Sequence, residues 1–319
     1  MAVHAFVFPG QGSQAVGMGR DLALAFPAAR EVFEEVDETL RQKLSTLMFE
    51  GPADDLTLTG NAQPALMAHS LAVLRVMERE GGVRLADRAI VVAGHSLGEY
   101  AALAAAGAFT LGDAARLLRR RGEAMQRAVP AGAGAMAALL GADLPLAAAI
   151  CETAAEAPEG GREVIDPAND NGGGQVVVSG TRAAVERAIE IARTRGVRRA
   201  MLLPVSAPFH CRLMAPAAED MAAALGETPP AAPVVPLVAN VTAAKATDPA
   251  EIARLLVEQV TRTVRWRESV ETMVALGADS FVEIGSGKVL TGLARRIAPD
   301  VSAIAVGTPA DIEAFLKTL

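Results

Sequence analysis

A chain of 319 residues is long enough for one large α/β domain, or for such a domain carrying an inserted unit. At 51% hydrophobic and 21% charged residues it excludes a disordered chain, and at 3% aromatic residues its core must be filled by aliphatic side chains and alanine. A formal net charge of −7 argues against nucleic acid or an anionic membrane as the main partner.

The elements follow in chain order. "HAFVF" (4–8) predicts a strand, helices are expected within 21–41 and 63–79, "AIVVAG" (89–94) predicts a second strand, and helices are expected from 97 to 128. Short apolar runs alternating with longer amphipathic stretches indicate a parallel α/β sheet. Between "VPAGAGA" and "LPVSAPFH" the order changes to strand 135–140, helix 144–155, strands 163–166 and 175–179, helix 181–195 and strand 199–203. That β-α-β-β-α-β order predicts a ferredoxin-like subdomain over 130–204, inserted into a large domain made of 1–129 and 205–319. The α/β pattern then resumes with helix 213–224, strand 235–239, helices 249–258 and 266–276, strand 280–284, helix 288–297, strand 302–305 and a last helix. The proline-rich "GETPPAAPVVP" (226–236) reads as an ordered connector.

Several classes drop out along the way. "MAALLGADLPLAAAI" is broken by Asp143 before it reaches membrane-spanning length, and no targeting signal is expected ahead of the first strand, so a cytoplasmic protein is anticipated. Cys151 and Cys211 lack CxxC spacing and read as buried small residues, and no histidine spacing suits zinc. "GQGSQA" (10–15) satisfies a loose dinucleotide fingerprint, but the region about 20 residues further on reads as helix and offers no acidic residue at the end of a second strand.

The chemistry centres on Gly94-His95-Ser96-Leu97-Gly98, at the join of a strand and a helix. Gly-x-Ser-x-Gly in that setting places a serine hydroxyl on a strained turn, with the first free N–H groups of the helix aimed at an oxyanion. The competing reading makes Ser96 an N-cap, with Glu99 at capping-box spacing. A serine nucleophile needs a base, and four histidines are available. His4 and His69 fall within strand and helix patterns, and His95 adjoins the serine on a turn whose neighbouring side chains point apart. His210, in "VSAPFHCRLM", remains as the partner by elimination.

Six blocks, "FVFPGQGSQ", "GHSLGEYAAL", "RRRGEAMQ", "NGGGQVVVSG", "PFHCRLM" and "EIGSGKVLTGL", together resemble the malonyl-CoA:acyl carrier protein transacylase family, in the family's order and over nearly the whole chain. The resemblance implies an α/β-hydrolase-like core with a ferredoxin-like insertion, and transfer of a malonyl group to a carrier protein for fatty acid biosynthesis. It implies Ser96 as nucleophile, His210 as base, Gln11 and Leu97 as oxyanion donors, Arg121 as the grip on the malonyl carboxylate, and Gln259 as the carbonyl that orients the histidine. Asn169 and Asn171 are expected to support the substrate site, and Phe209 to add bulk against a branched methylmalonyl group. A carboxylate left free on an acyl-serine would be penalised by burial unless paired with a fixed cation, a task that suits arginine's planar fork. The implied partners are malonyl-CoA and acyl carrier protein, with no cofactor, metal, nucleic acid or membrane, and with a monomeric chain. Arg198 and Arg199 are expected to steer the acidic carrier.

The chain departs from the family at Gly173, Thr263 and Ser286, where proline is common, and each swap is expected to loosen a loop. Alternatives are a malonyl acyltransferase serving polyketide or malonate-decarboxylase chemistry and a plain serine hydrolase. The latter would carry an acid between serine and histidine and an HGGG-type loop, which the chain lacks.

Overall fold

The N-terminal apolar run becomes β1 (His4–Phe8), buried along its whole length near the middle of the main sheet. The computed structural model describes residues 3–319. Beside β1 lie β2 (Ala89–Gly94) on one side and β9 (Ser280–Ile284) on the other, and the full order is β10-β9-β1-β2-β7-β8, with β10 at Ser302–Val306, β7 at Leu237–Val238 and β8 at Lys245–Ala246. All pairings are parallel except the last, between β7 and β8. Parallel strands buried on both faces need covering on both. Phe6 and Phe8 pack with Leu66, Met67 and Tyr100 on one face, while Ala5 and Val7 pack with Trp266, Phe281 and Val91 on the other. Because β1, β2 and β9 run the same way, their carboxyl ends open at one edge of the sheet, where ligands of open α/β sheets bind.

The second sheet uses β3 (Gly134–Leu140), β4 (Ile165–Asp170), β5 (Gln175–Thr181) and β6 (Arg199–Leu202) in the order β4-β5-β3-β6, all antiparallel. With helices Leu144–Ala154 and Arg182–Thr194 on one face, this is the ferredoxin-like arrangement, with its own core of Leu139, Ile150, Val178 and Val185.

Some boundaries differ from expectation, each for a local reason. The helix expected from 63 begins at Thr59 and carries Pro64 in its interior, and two short helices, Leu44–Glu50 and Ala53–Thr57, precede it. The strand expected at 235–239 shrinks to two residues because Pro233 and Pro236 cannot donate to a ladder. The strand expected at 163–166 runs instead to Asp170 through a bulge between Pro167 and Asn169. That bulge lets Asn169 bridge to Val264, with Val264 N–H donating to Ala168 O at 2.9 Å, which ties the small sheet to the large domain. The 226–236 connector is ordered, with Ala231 and Val234 donating to Ala108 and Ala106. Both cysteines are free and buried. Among the described residues no helix is long and apolar enough to cross a membrane.

Candidate active site

The turn between β2 and the helix Gly98–Ala105 is possible only for this kind of sequence. A Cβ on Gly94 would lie 1.9 Å from the Gly98 carbonyl, and one on Gly98 would lie 2.2 Å from Phe8 O. Between them Ser96 sits at φ 54°, in the left-handed region that costs a non-glycine residue free energy. Asn240 holds the turn: its Oδ1 accepts from Ser96 N–H at 2.8 Å and its Nδ2 donates to Gly94 O at 2.7 Å. The helix N-cap is Leu97, without a side-chain cap, so the capping-box reading of Ser96 and Glu99 is overturned. Glu99 turns into the core instead.

Ser96 Oγ donates to His210 Nε2 at 2.7 Å, and His210 Nδ1 donates to the main-chain carbonyl of Gln259 at 2.8 Å. The carbonyl fixes the tautomer that leaves Nε2 free to take a proton, the task an acidic residue performs in a triad. His210 is itself at φ 58°, so both members of the pair occupy the left-handed region. Burial, with the Arg121 cation second, pushes the imidazole down to about 3, which keeps it in its basic form.

Arg121 lies on the helix Leu111–Arg127 and is 1% exposed. Its Nη1 donates to Gln63 Oε1 at 2.8 Å, and its Nη2 donates to Gln259 Oε1 at 2.7 Å and to Ser96 Oγ at 3.2 Å. Two amide oxygens and a hydroxyl are its acceptors, none of them a carboxylate, and its buried Nε has no partner. A buried cation met only by neutral groups is costly and is relieved by a carboxylate entering beside it.

Ser96, His210, Arg121 and Gln63 line one cavity of about 430 Å³ together with Gln11, Asn169, Phe209 and His95, and Gln259 lies buried behind them. The remaining expected residues fall around it. The Leu97 side chain is fully buried, and neither its amide nor that of Gln11 donates to a protein acceptor among the described residues. Asn171 accepts from His95 Nε2 at 2.9 Å and acts on the cavity wall through that histidine, not directly. Arg198 and Arg199 are exposed, and the chain leaving β6 forms cavity wall at Leu203 and Val205. His4 and His69 are buried away from the pair, His69 held to Gly307 O at 3.0 Å. The first helix after β1 starts only at Arg20, so "GQGSQA" opens no helix.

Gln63 and Asn240 are the groups that the sequence reading missed, and Glu99 was read only as a capping residue; the signal for Gln63 was a polar residue set in the apolar run "NAQPALMAHSLAVL". The expectation of loosened loops is corrected at two positions. Thr263 Oγ1 donates to Pro167 O at 2.6 Å and Ser286 Oγ to Ser13 O at 2.7 Å, so side-chain bonds replace the rigidity of proline.

A hydroxyl activated by a neutral imidazole, beside a cation without a carboxylate contact, is equipped to carry an acyl group as a serine ester and pass it on; this is the chemistry of acyl transferases. The model of the acyl transferase domain matches residues 5–306. The chain is similar over its whole length to the malonyl CoA-acyl carrier protein transacylase of Bacillus subtilis (strain 168), at 47% identity over 319 residues, 100% of this chain and 98% of that protein. To the one of Escherichia coli (strain K12) it is 45% identical over 317 residues, 99% and 100% of the two chains. Among solved structures it resembles an acyl-carrier-protein-S-malonyltransferase from Bartonella henselae, with a TM-score of 0.95 and 57% identity over 99% of each chain. It also resembles a malonyl-transacylase in complex with its type II PKS acyl-carrier protein, with a TM-score of 0.94 and 40% identity over 100% of each chain. The chain belongs to the malonyl-CoA:acyl carrier protein transacylase family.

Proposed function

We propose that the protein transfers a malonyl group from malonyl-CoA to the phosphopantetheine thiol of an acyl carrier protein, supplying extender units for fatty acid biosynthesis. His210 takes the Ser96 proton as Oγ attacks the thioester carbonyl, and the amides of Gln11 and Leu97 hold the oxyanion. Collapse breaks the C–S bond, the imidazolium returns its proton to the departing CoA sulfur, and malonyl-Ser96 remains, its carboxylate on Arg121. The carrier thiol then gives its proton to His210, attacks the ester, and regenerates the Ser96 hydroxyl.

The observation that carries this reading is a single oxygen, Ser96 Oγ, 2.7 Å from the imidazole and 3.2 Å from a buried guanidinium. Nucleophile, base and donors all come from one chain, so the mechanism needs no residue of a second copy; the reading is of a cytoplasmic monomer that works without metal or cofactor. Phe209 and Asn169 shape the acyl pocket, and the exposed Arg198 and Arg199 attract the acidic carrier at a salt-dependent rate.

Intact-mass analysis after mixing with malonyl-CoA, then with holo carrier protein, tests it. The malonyl adduct should form on the protein and move to the carrier faster than free malonate appears. Release of malonate outpacing transfer would return the protein to the hydrolases.

A further inference from the structure

Glu99, near the start of the helix Gly98–Ala105, is 1% exposed and does not line the cavity. Its oxygens accept two N–H groups: Oε1 from the main-chain N–H of Asn240 at 3.2 Å, and Oε2 from Gln259 Nε2. Those are the bonds of an ionised carboxylate. Burial drives its pKa up to about 7, while the two N–H donors and the Arg121 cation work in the other direction.

The fully buried Gln259 side chain is bound at both ends. Its Nε2 donates to Glu99 and to Ser96 O at 2.9 Å, while its Oε1 accepts from Arg121 at 2.7 Å. Turned over, the amide would set its NH2 against the guanidinium and its oxygen against a carboxylate and a carbonyl. Glu99 therefore acts with the Ser96 carbonyl to fix which end of Gln259 faces Arg121.

We infer that Glu99 is a positioning residue for acyl-group selection: acting through Gln259, it holds the Arg121 guanidinium in place while leaving it in contact with neutral acceptors only, so that a substrate carboxylate meets no competing anion there. A direct Glu–Arg pair would occupy the donors that a dicarboxylic acyl group needs. With one amide between them, the two charges compensate each other without contact. The inference rests on the malonyl-transfer reading above.

The test compares kcat/KM for acyl-enzyme formation from malonyl-CoA and acetyl-CoA in the wild type, Glu99→Gln, Glu99→Asp, Arg121→Ala and the Arg121→Ala/Glu99→Gln double variant. Glu99→Gln sets an NH2 against one of the two N–H donors; it should lower the malonyl-to-acetyl preference roughly tenfold, mainly through KM for malonyl-CoA, with acetyl rates within about twofold. Glu99→Asp keeps the charge but cannot reach both donors, so a smaller fall in the same direction is expected, and it stands in should Glu99→Gln not fold. In the Arg121→Ala background the Glu99 change should leave the preference where it is.

An unchanged preference would overturn the inference, and so would a raised one, which is what a barer cation alone would produce. Equal loss for both acyl groups would make Glu99 merely structural and overturn it too, as would a fall that persists without Arg121. A wild type without malonyl preference would instead remove the functional reading, and this inference with it.

Discussion

The two walls of the cavity are built by opposite means. On the reacting side, Ser96 and His210 sit at left-handed φ on turns, and neither carries a formal charge. On the selecting side, Gln63 and Arg121 line the cavity from the helices Thr59–Gly81 and Leu111–Arg127, with Gln259, the last residue of the helix Pro249–Gln259, behind them, around one buried cation. The reacting wall spends backbone strain to hold a hydroxyl and an imidazole at 2.7 Å. The selecting wall uses stiff helices to hold a charge that lacks an acidic contact. Bond making should therefore be indifferent to the acyl group, with choice among acyl groups confined to the other wall.

The largest effect should come from the reacting wall. His210→Ala is expected to slow acyl-enzyme formation by roughly 10²- to 10⁴-fold, and equally for malonyl-CoA and acetyl-CoA. Rapid-quench intact-mass kinetics would show it, and unequal losses would break the comparison.

The pH profile tests how far the walls interact. Because the imidazole is pushed down to about 3, its basic form persists well below the ordinary histidine pKa of about 6.5. The kcat/KM for acetyl-CoA acylation should therefore lose nothing to His210 between about pH 8 and pH 5. Arg121→Ala removes the largest influence after burial that lowers the value, so the acid limb should move up toward 6.5. A limb that stays put would make the walls independent in charge as well as in chemistry.

Smaller effects belong to neither wall. Thr263→Ala and Ser286→Ala should each lose about 1 kcal/mol of stability with the loop bond they remove, read from urea midpoints, at unchanged malonyl-to-acetyl preference. A changed preference would place those loops in the selecting wall.

The same division decided what could be read from the sequence. β1, β2 and β9 stood out as apolar runs, and the β-α-β-β-α-β order was plain. β4 was harder, because "DPAND" carries a proline and polar residues that suit a turn; only the bulge and the Val264 bridge make it a strand. Ser96 was legible because its turn is local, with both glycines inside five residues, and His210 followed by elimination. Arg121 and Gln259 came from family resemblance, since nothing in a run of arginines says which one is buried. Gln63 and Asn240 were missed because an uncharged amide in an apolar run does not say what it will meet until the fold brings it to a cation or a turn. Glu99 was visible but misassigned, its spacing suiting a cap that Ser96, at φ 54°, does not make.

The most direct measurement of this division is the acylation rate of Arg121→Ala with malonyl-CoA and acetyl-CoA, each against the wild type. Malonyl transfer to Ser96 should fall on the order of 10²- to 10³-fold, with acetyl transfer unchanged or raised. Equal losses for both acyl groups would contradict the account, because the guanidinium would then be holding the site together and not selecting what enters it.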